Sequence, residues 1–225
     1  MEYSQEIIHI SEFNAAGLND MALSRLVRQE RIGNLGFGYY SSRPRILHFE
    51  NDGTMSKINS LLDDFPVAPN RMLFSATSLN FCINQLLSST TYLLEVEKEY
   101  LQIVFEVVKG RVDNVVLLKP SKEDKINYWR PNAIYVSELF KRSPLNKDGS
   151  ITIEKLICDL LFDEDVYGLY SGRDVEQAIS FLCENYTVNY RTLFAYASRK
   201  NRKGELLKRI HPFIPDVILG VLRHD

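Results

Sequence analysis

The segment between residues 92 and 136 alternates strand-like and helix-like patterns, and this alternation constrains the fold more than any other feature of the chain. Apolar runs at 92–96, 112–118 and 133–136 predict strands, whereas residues 100–108 repeat their apolar side chains at a helical period. A polar helical pattern follows Pro120. Ahead of the first strand, Thr54 predicts the start of a helix over residues 55–65, and residues 77–87 are expected to form a separate element after the prolines at 66 and 69. Because strands that alternate with helices pair mostly in parallel, we predict a short mixed or parallel sheet in the middle of the chain.

The C-terminal third of the sequence predicts helices. Thr152 is a capping residue type ahead of the apolar pattern at 153–162, and further helical patterns begin near residues 172 and 189. A last, basic helix is expected at 204–210. The predicted fold class is therefore α/β (α+β), with a helical C-terminal third.

The N-terminal segment has a different organisation. Ser11 predicts the start of a short helix that Gly17 ends, and Asn19 predicts the start of a second helix that runs to about residue 30. Residues 32–40 alternate glycine with apolar and aromatic side chains, which is typical of a tight hairpin. Helix, turn, helix and hairpin is the element order of a winged helix-turn-helix.

The chain has 225 residues, which is more than one average domain and less than two. We therefore predict a small winged helix-turn-helix DNA-binding domain at 1–48 and a larger α/β domain with C-terminal helices at 49–225. A hydrophobic content of 45% is enough for a packed core and excludes wholesale disorder.

The composition excludes several kinds of site. The three cysteines are far apart in sequence, which excludes a disulfide framework and a thiolate zinc site, and the four histidines lack metal-ligand spacing. We predict no cofactor and no bound metal. The acidic start of the chain does not resemble a signal peptide, and no apolar run is long enough to cross a membrane. We expect a cytoplasmic protein without membrane contact.

Basic residues cluster in two places although the net charge is only −2. Between residues 25 and 45 five arginines stand against one acid, and the spacing of Arg25 and Arg28 puts both on one side of the second helix. This pattern favours double-stranded DNA as the partner. The predicted DNA-binding residues are Arg25, Arg28, Arg31, Asn34, Arg43 and Arg45. A second basic surface, for nucleic acid or an acidic protein, is predicted at Arg199, Lys200, Arg202 and Lys203.

Two alternatives remain beside a non-enzymatic DNA-binding protein. Glu95, Glu97 and Lys98 stand near a strand end and loosely resemble the acidic and lysine groups of a metal-dependent nuclease, although their spacing differs. They are also explained as the charged first turn of the following helix. The other alternative is a protein-interaction module that acts through the helices at 150–210 and has a vestigial winged helix.

The sequence LSRLVRQERIGNLGFGYY at residues 23–40 resembles the end of the winged helix in AbiEi-type antitoxins. It departs from that pattern at Glu30 and at Asn34–Leu35. Shorter segments resemble the larger domain of the same family in the same order: LLDDFP at 61–66, SLN at 78–80, EVEK at 95–98, IEKLICDLL at 153–161 and VNYRTLFAYASRK at 188–200.

The resemblance covers residues 7–210 and implies a two-domain antitoxin of a type IV toxin–antitoxin or abortive-infection (phage defence) system of bacteria. The winged helix would then repress transcription from the protein's own promoter. The larger domain would counter a nucleotidyltransferase-like toxin encoded beside it, with or without direct contact, and would not be an enzyme.

Overall fold

The computed structural model describes residues 7–128, 130–163, 166 and 168–222. The acidic start of the chain, on which the expectation of no signal peptide rests, lies outside these ranges. The described residues form the mixed α+β fold that the sequence predicts, with two sheets and a helical C-terminal part. None of the helices described is both long and apolar enough to cross a membrane.

The N-terminal module contains helices and strands in the order predicted, preceded by a strand that the sequence pattern did not indicate. Its elements are β1 (Ile7–His9), α1 (Ile10–Ala15), α2 (Asp20–Arg28), β2 (Gly33–Gly36) and β3 (Tyr39–Ser41). All the strand pairs are antiparallel, in the order β1-β3-β2. β1 therefore turns the predicted hairpin into a three-stranded sheet.

The larger body begins after an irregular connector and contains a four-stranded mixed sheet. Its first elements are α3 (Gly53–Asp63), β4 (Arg71–Ser75), β5 (Thr91–Val96), α4 (Leu101–Lys109), β6 (Val116–Leu118), α5 (Lys122–Tyr128) and β7 (Ala133–Glu138). The strand order is β4-β5-β7-β6. β5, β7 and β6 are parallel, as the alternation predicts, while β4 joins antiparallel to β5.

The C-terminal part is helical, as predicted, but a further helix, at Asp216–Leu222, follows the one that was predicted to be the last. The helices are α6 (Ile153–Phe162), α7 (Gly172–Asn185), α8 (Tyr190–Arg199), α9 (Lys203–Ile210) and α10 (Asp216–Leu222). Side chains of Thr152, Ser171 and Asn189 cap α6, α7 and α8 by accepting backbone N–H groups of the first turn. Because these capping residues directly precede the helices in the sequence, the starts of the three helices could be predicted.

Side chains alternate between the two faces of the larger sheet, so that each face has its own core. Leu94 and Val136 point to the face that α3 and α4 cover, where Ile58 and Val104 are fully buried. Leu93 and Tyr135 point to the opposite face, which packs on the C-terminal helices. The sheet is thus enclosed between two helical layers.

Two predicted helix caps are corrected by the structure. Ser11 does not cap α1; the His9 ring and the Glu12 carboxylate form a capping box there instead. Thr54 does not cap α3, because the Asp52 carboxylate accepts the Met55 N–H at 2.9 Å. In both cases a polar residue two positions earlier accepts the free N–H groups.

The N-terminal hairpin packs directly on the larger body. Leu35 is 2% exposed and belongs to the same core cluster as the C-terminal helices. The Arg45 N–H donates to Thr187 Oγ1 at 2.9 Å, and the Thr187 N–H donates back to the Arg45 carbonyl at 2.8 Å. The hairpin is therefore held in a defined position against the body, and the proposed division at residues 48 and 49 separates parts that share a core.

Candidate nucleic-acid interface

The second helix, α2, is anchored by one side and open to solvent on the other. Asn19 caps it by accepting the Ala22 N–H at 2.9 Å, and Leu23 is buried at 1% exposure. Arg25 and Arg28 are exposed, as the spacing predicts. They line a shallow surface depression of about 650 Å³ together with Asp20, Met21, Ser24 and Gln29.

The hairpin that follows α2 has the strained backbone of a tight turn. Gly36, Phe37 and Gly38 have positive φ angles of 87°, 54° and 83°. Such angles favour glycine, and two of the three residues are glycine. Asn34 Oδ1 accepts the Gly36 N–H at 2.8 Å. The Asn34 amide, predicted to contact DNA, is thus partly engaged in holding the turn.

The other predicted DNA-binding residues lie beyond the C-terminal end of α2 and are exposed. Arg31 follows Glu30, which adopts a φ of 55° and whose carboxylate lies 3.2 Å from His48 Nε2. Arg43 and Arg45 are also exposed and belong to the connector that follows β3. The structure therefore leaves the arginines of this predicted set on the surface, with Asn34 partly buried.

The second predicted basic surface is not a continuous set of free cations. Lys200 does not add a free cation to this surface, contrary to the prediction. Its side chain is 12% exposed and its Nζ lies 2.6 Å from Asp159 Oδ1. Arg199 donates to the Arg142 carbonyl at 2.9 Å, and Arg202 pairs with Glu205 at 3.0 Å. Lys203 is exposed. Because one member is used inside the protein, the charge of this patch is smaller than the sequence indicates.

A network of buried charges lies between β5 and the helices α6 and α8. Lys155 is fully buried, and its ammonium lies 2.9 Å from Glu95 Oε2 and 2.5 Å from Asp159 Oδ2. The remaining Asp159 oxygen accepts bonds from Lys200 at 2.6 Å and from the Tyr196 hydroxyl at 3.1 Å. Every buried charge in this network has an opposite charge in contact with it.

Burial and charge pairing act in opposite directions on these groups. Burial raises the pKa of the Glu95 carboxyl to about 7, even though the Lys155 ammonium beside it favours the ionised form. Burial alone would lower the pKa of Lys155, but the carboxylates of Glu95 and Asp159 hold it well above its ordinary value. Lys155 is therefore a permanent cation inside the protein.

The predicted nuclease-like residues do not converge on one point. The Glu95 side chain is 8% exposed and paired with Lys155, whereas Glu97 accepts a bond of 2.7 Å from the Asn70 amide. Glu95, Asp159 and Asp163 do approach one another closely enough to hold an ion. Two ammonium groups already contact this cluster, so its donor set does not suit a divalent cation.

A cleft of about 1420 Å³ lies at the carboxyl ends of the parallel strands, where open α/β sheets commonly bind ligands. Six acidic and six basic side chains line it in the described part of the chain. Some of these pair with each other, including Arg71 with Asp63 at 2.7 Å. Because the charges balance, the cleft is less suited to a polyanion than the arginine face of α2.

The protein belongs to the α+β class. A helix–turn–helix and hairpin module, which carries the exposed α2 face, packs on a larger body whose sheet is enclosed by helices. The chain belongs to DUF6577, a family of unknown function whose model matches residues 19–214. No curated protein matches the sequence. The family match begins at the Asn19 cap of α2, so one family unit contains both the arginine face and the larger body.

Proposed function

We propose that the protein binds double-stranded DNA through the outer face of α2 and regulates transcription from its own promoter. The observation that carries this proposal is the exposure of Arg25 and Arg28 on a helix whose opposite side is anchored by Leu23. The larger body packs on β2 through α8 and leaves these two side chains in solvent.

The dimensions and chemistry of this face suit the major groove. The groove of B-DNA is about 12 Å wide and admits one α-helix, and arginine forms paired hydrogen bonds with guanine there. In this proposal residues 7–41 work as a winged helix-turn-helix, with Arg25 and Arg28 at the base edges. Arg31, Arg43 and Arg45 contact phosphates and make the affinity strongly dependent on salt.

Two acidic side chains, Glu30 and Asp20, lie close in sequence to the arginines of α2. Glu30 is the acid in the run of arginines from 25 to 45, and its carboxylate is directed to His48. Asp20 stands in the first turn of α2, where a carboxylate stabilises the helix dipole. The local charge near α2 is therefore positive although the whole chain carries −2.

We propose further that the protein is the antitoxin of a nucleotidyltransferase-like toxin encoded beside it in a bacterial genome, and that it acts in the cytoplasm. The resemblance of residues 23–40 and of the later motifs to AbiEi-type antitoxins supports this part. Co-expression with the adjacent open reading frame tests it. Growth should be restored by the native protein if the neighbour is toxic, and an unchanged growth arrest would contradict the antitoxin role.

The regulatory role is tested in cells with a reporter gene under the protein's own upstream region. The native protein should repress the reporter, and the Arg25→Ala/Arg28→Ala protein should not. An Arg111→Ala/Arg173→Ala protein is the matched control, because it loses the same charge from exposed arginines elsewhere on the surface. Equal repression by the native and Arg25→Ala/Arg28→Ala proteins would contradict the proposal.

A further inference from the structure

A second surface depression, of about 470 Å³, adjoins the arginine face of α2. Asp20 and Ser24 line both depressions, so the two form one continuous surface around α2. The second depression is also bounded by the hairpin and by the start of α8, which belongs to the larger body. The surface next to α2 is thus built by both parts of the chain.

Arg191 is the basic residue that the larger body contributes to this surface. It is exposed, it is the second residue of α8, and it lines the second depression. Its guanidinium has no ion pair or hydrogen bond with the residues that the structure describes. A charged group of this kind, without a partner beside the proposed DNA-binding helix, is available to an external anion.

The position of Arg191 relative to the hairpin is fixed by close packing. A Cβ atom at Gly36 would lie 2.7 Å from both Cβ and the backbone nitrogen of Arg191, a distance that real Cβ atoms do not reach. The backbone of α8 is held there by Asn189, whose Oδ1 accepts the Thr192 N–H at 3.0 Å. Only glycine at position 36 permits this approach, which places the backbone of Arg191 directly beside the hairpin.

We propose that Arg191 binds a phosphate of the DNA backbone and extends the DNA interface from α2 onto the larger body. This inference rests on the proposed DNA binding through α2. Arg31 lies beyond the C-terminal end of α2, whereas Arg191 adjoins its first turns through Asp20 and Ser24. Phosphate contacts at both ends of the helix would fix its orientation in the groove.

The charge of Asp20 is consistent with this role. It is the acidic side chain in the lining of the second depression and lies on α2 itself. A phosphate is therefore disfavoured next to Asp20 on the first turn of α2, and it is favoured next to Arg191. The two charges assign the base edges to α2 and the sugar–phosphate chain to α8.

The test measures binding of purified protein to a labelled duplex of its own upstream region over a series of salt concentrations. Arg191→Ala should bind roughly tenfold more weakly than the native protein. The slope of log affinity against log salt should fall in magnitude by about 0.9, as for one lost phosphate contact. Arg191→Lys should keep most of the slope.

Arg173→Ala is the matched control, because Arg173 is also an exposed second residue of a capped helix, α7. It should bind as the native protein does. If Arg191→Ala also binds as the native protein does while Arg25→Ala/Arg28→Ala has lost binding, this inference is overturned and the proposed function is retained. If the native protein itself does not bind the duplex, both are overturned.

Replacing single phosphates by uncharged methylphosphonates identifies the contact itself. At one phosphate near the end of the site, the substitution should weaken the native protein and leave Arg191→Ala unaffected. If the same phosphates matter equally to both proteins, Arg191 is not a phosphate ligand and the inference is overturned.

Discussion

Replacing Lys155 by methionine should strongly destabilise the protein. The substitution keeps the length and most of the volume of the side chain but removes its charge, leaving the Glu95 carboxylate buried without a counter-ion. Glu95 and Asp159 are 8% and 0% exposed at their side chains, so water cannot replace the lost partner. Removing one partner of a buried ion pair typically costs about 3–5 kcal/mol.

The assay is thermal unfolding followed by circular dichroism at pH 8, where Glu95 is mostly ionised. For a domain of this size 1 kcal/mol corresponds to about 2–4 °C, so the midpoint should fall by roughly 6–20 °C. Lys203→Met, at an exposed position, is the control and should change the midpoint by less than about 2 °C.

The effect of Lys155→Met should also depend on pH. In the native protein the Glu95 carboxyl is protonated at pH 5, because its pKa is raised to about 7, so at that pH the substitution removes no ion pair of Glu95. The loss of midpoint should therefore be smaller at pH 5 than at pH 8, and Glu95→Gln in the same protein should recover part of the loss at pH 8. A Lys155→Met protein as stable as the Lys203→Met control would refute the buried-network account.

Two further predictions concern the hairpin and the titration of Glu95. Gly36→Ala should cost on the order of 3 kcal/mol in urea unfolding, because both its φ of 87° and the contact with Arg191 oppose a Cβ. Gly17→Ala, with a φ of 83° and open space around it, should cost only about 1 kcal/mol, and equal costs would contradict the packing argument. Glu95, whose folded pKa is raised, stabilises the fold at low pH and loses this contribution between about pH 4.5 and 7. The stability of the native protein relative to Glu95→Gln should therefore fall across that range, and a constant difference would contradict it.

The parts of the fold that the sequence predicted are those specified by local signals. α2, α6 and α8 begin at residues whose side chains cap their first turns, and apolar residues recur along them at a helical period. The parallel pairing of β5, β6 and β7 could be predicted because strand and helix patterns alternate along this part of the sequence. These features depend on residues a few positions apart, which a linear sequence displays.

The elements that were missed depend on distant partners. β1 consists of residues 7–9, and it is a strand because β3 pairs with it. β4 has only three consecutive apolar residues, at positions 72–74, and its antiparallel pairing with β5 follows from the packing of the whole sheet. Residues 77–87 were expected to form an element of their own, but the structure has only a 3₁₀ turn at Ala76–Leu79.

The site could be predicted only in part for the same reason. Arg25 and Arg28 share a face because their spacing is local. Lys155 gave a signal that could have been recognised, since a lysine inside an apolar helical run with an aspartate four residues later requires buried partners. Its partner Glu95 is 60 residues away, and Arg191 lies 155 positions beyond Gly36, so only the folded chain brings them together.

The central claim is that the arginine face of α2 reads duplex DNA, and equilibrium binding to the labelled upstream duplex tests it most directly. Base contacts of this kind are worth about 1–3 kcal/mol each, so Arg25→Ala/Arg28→Ala should bind about 30-fold to 10⁴-fold more weakly than the native protein. It should also lose its preference for that duplex over one of scrambled sequence. If the variant keeps native affinity and preference, the arginine face does not read the DNA and the account is wrong.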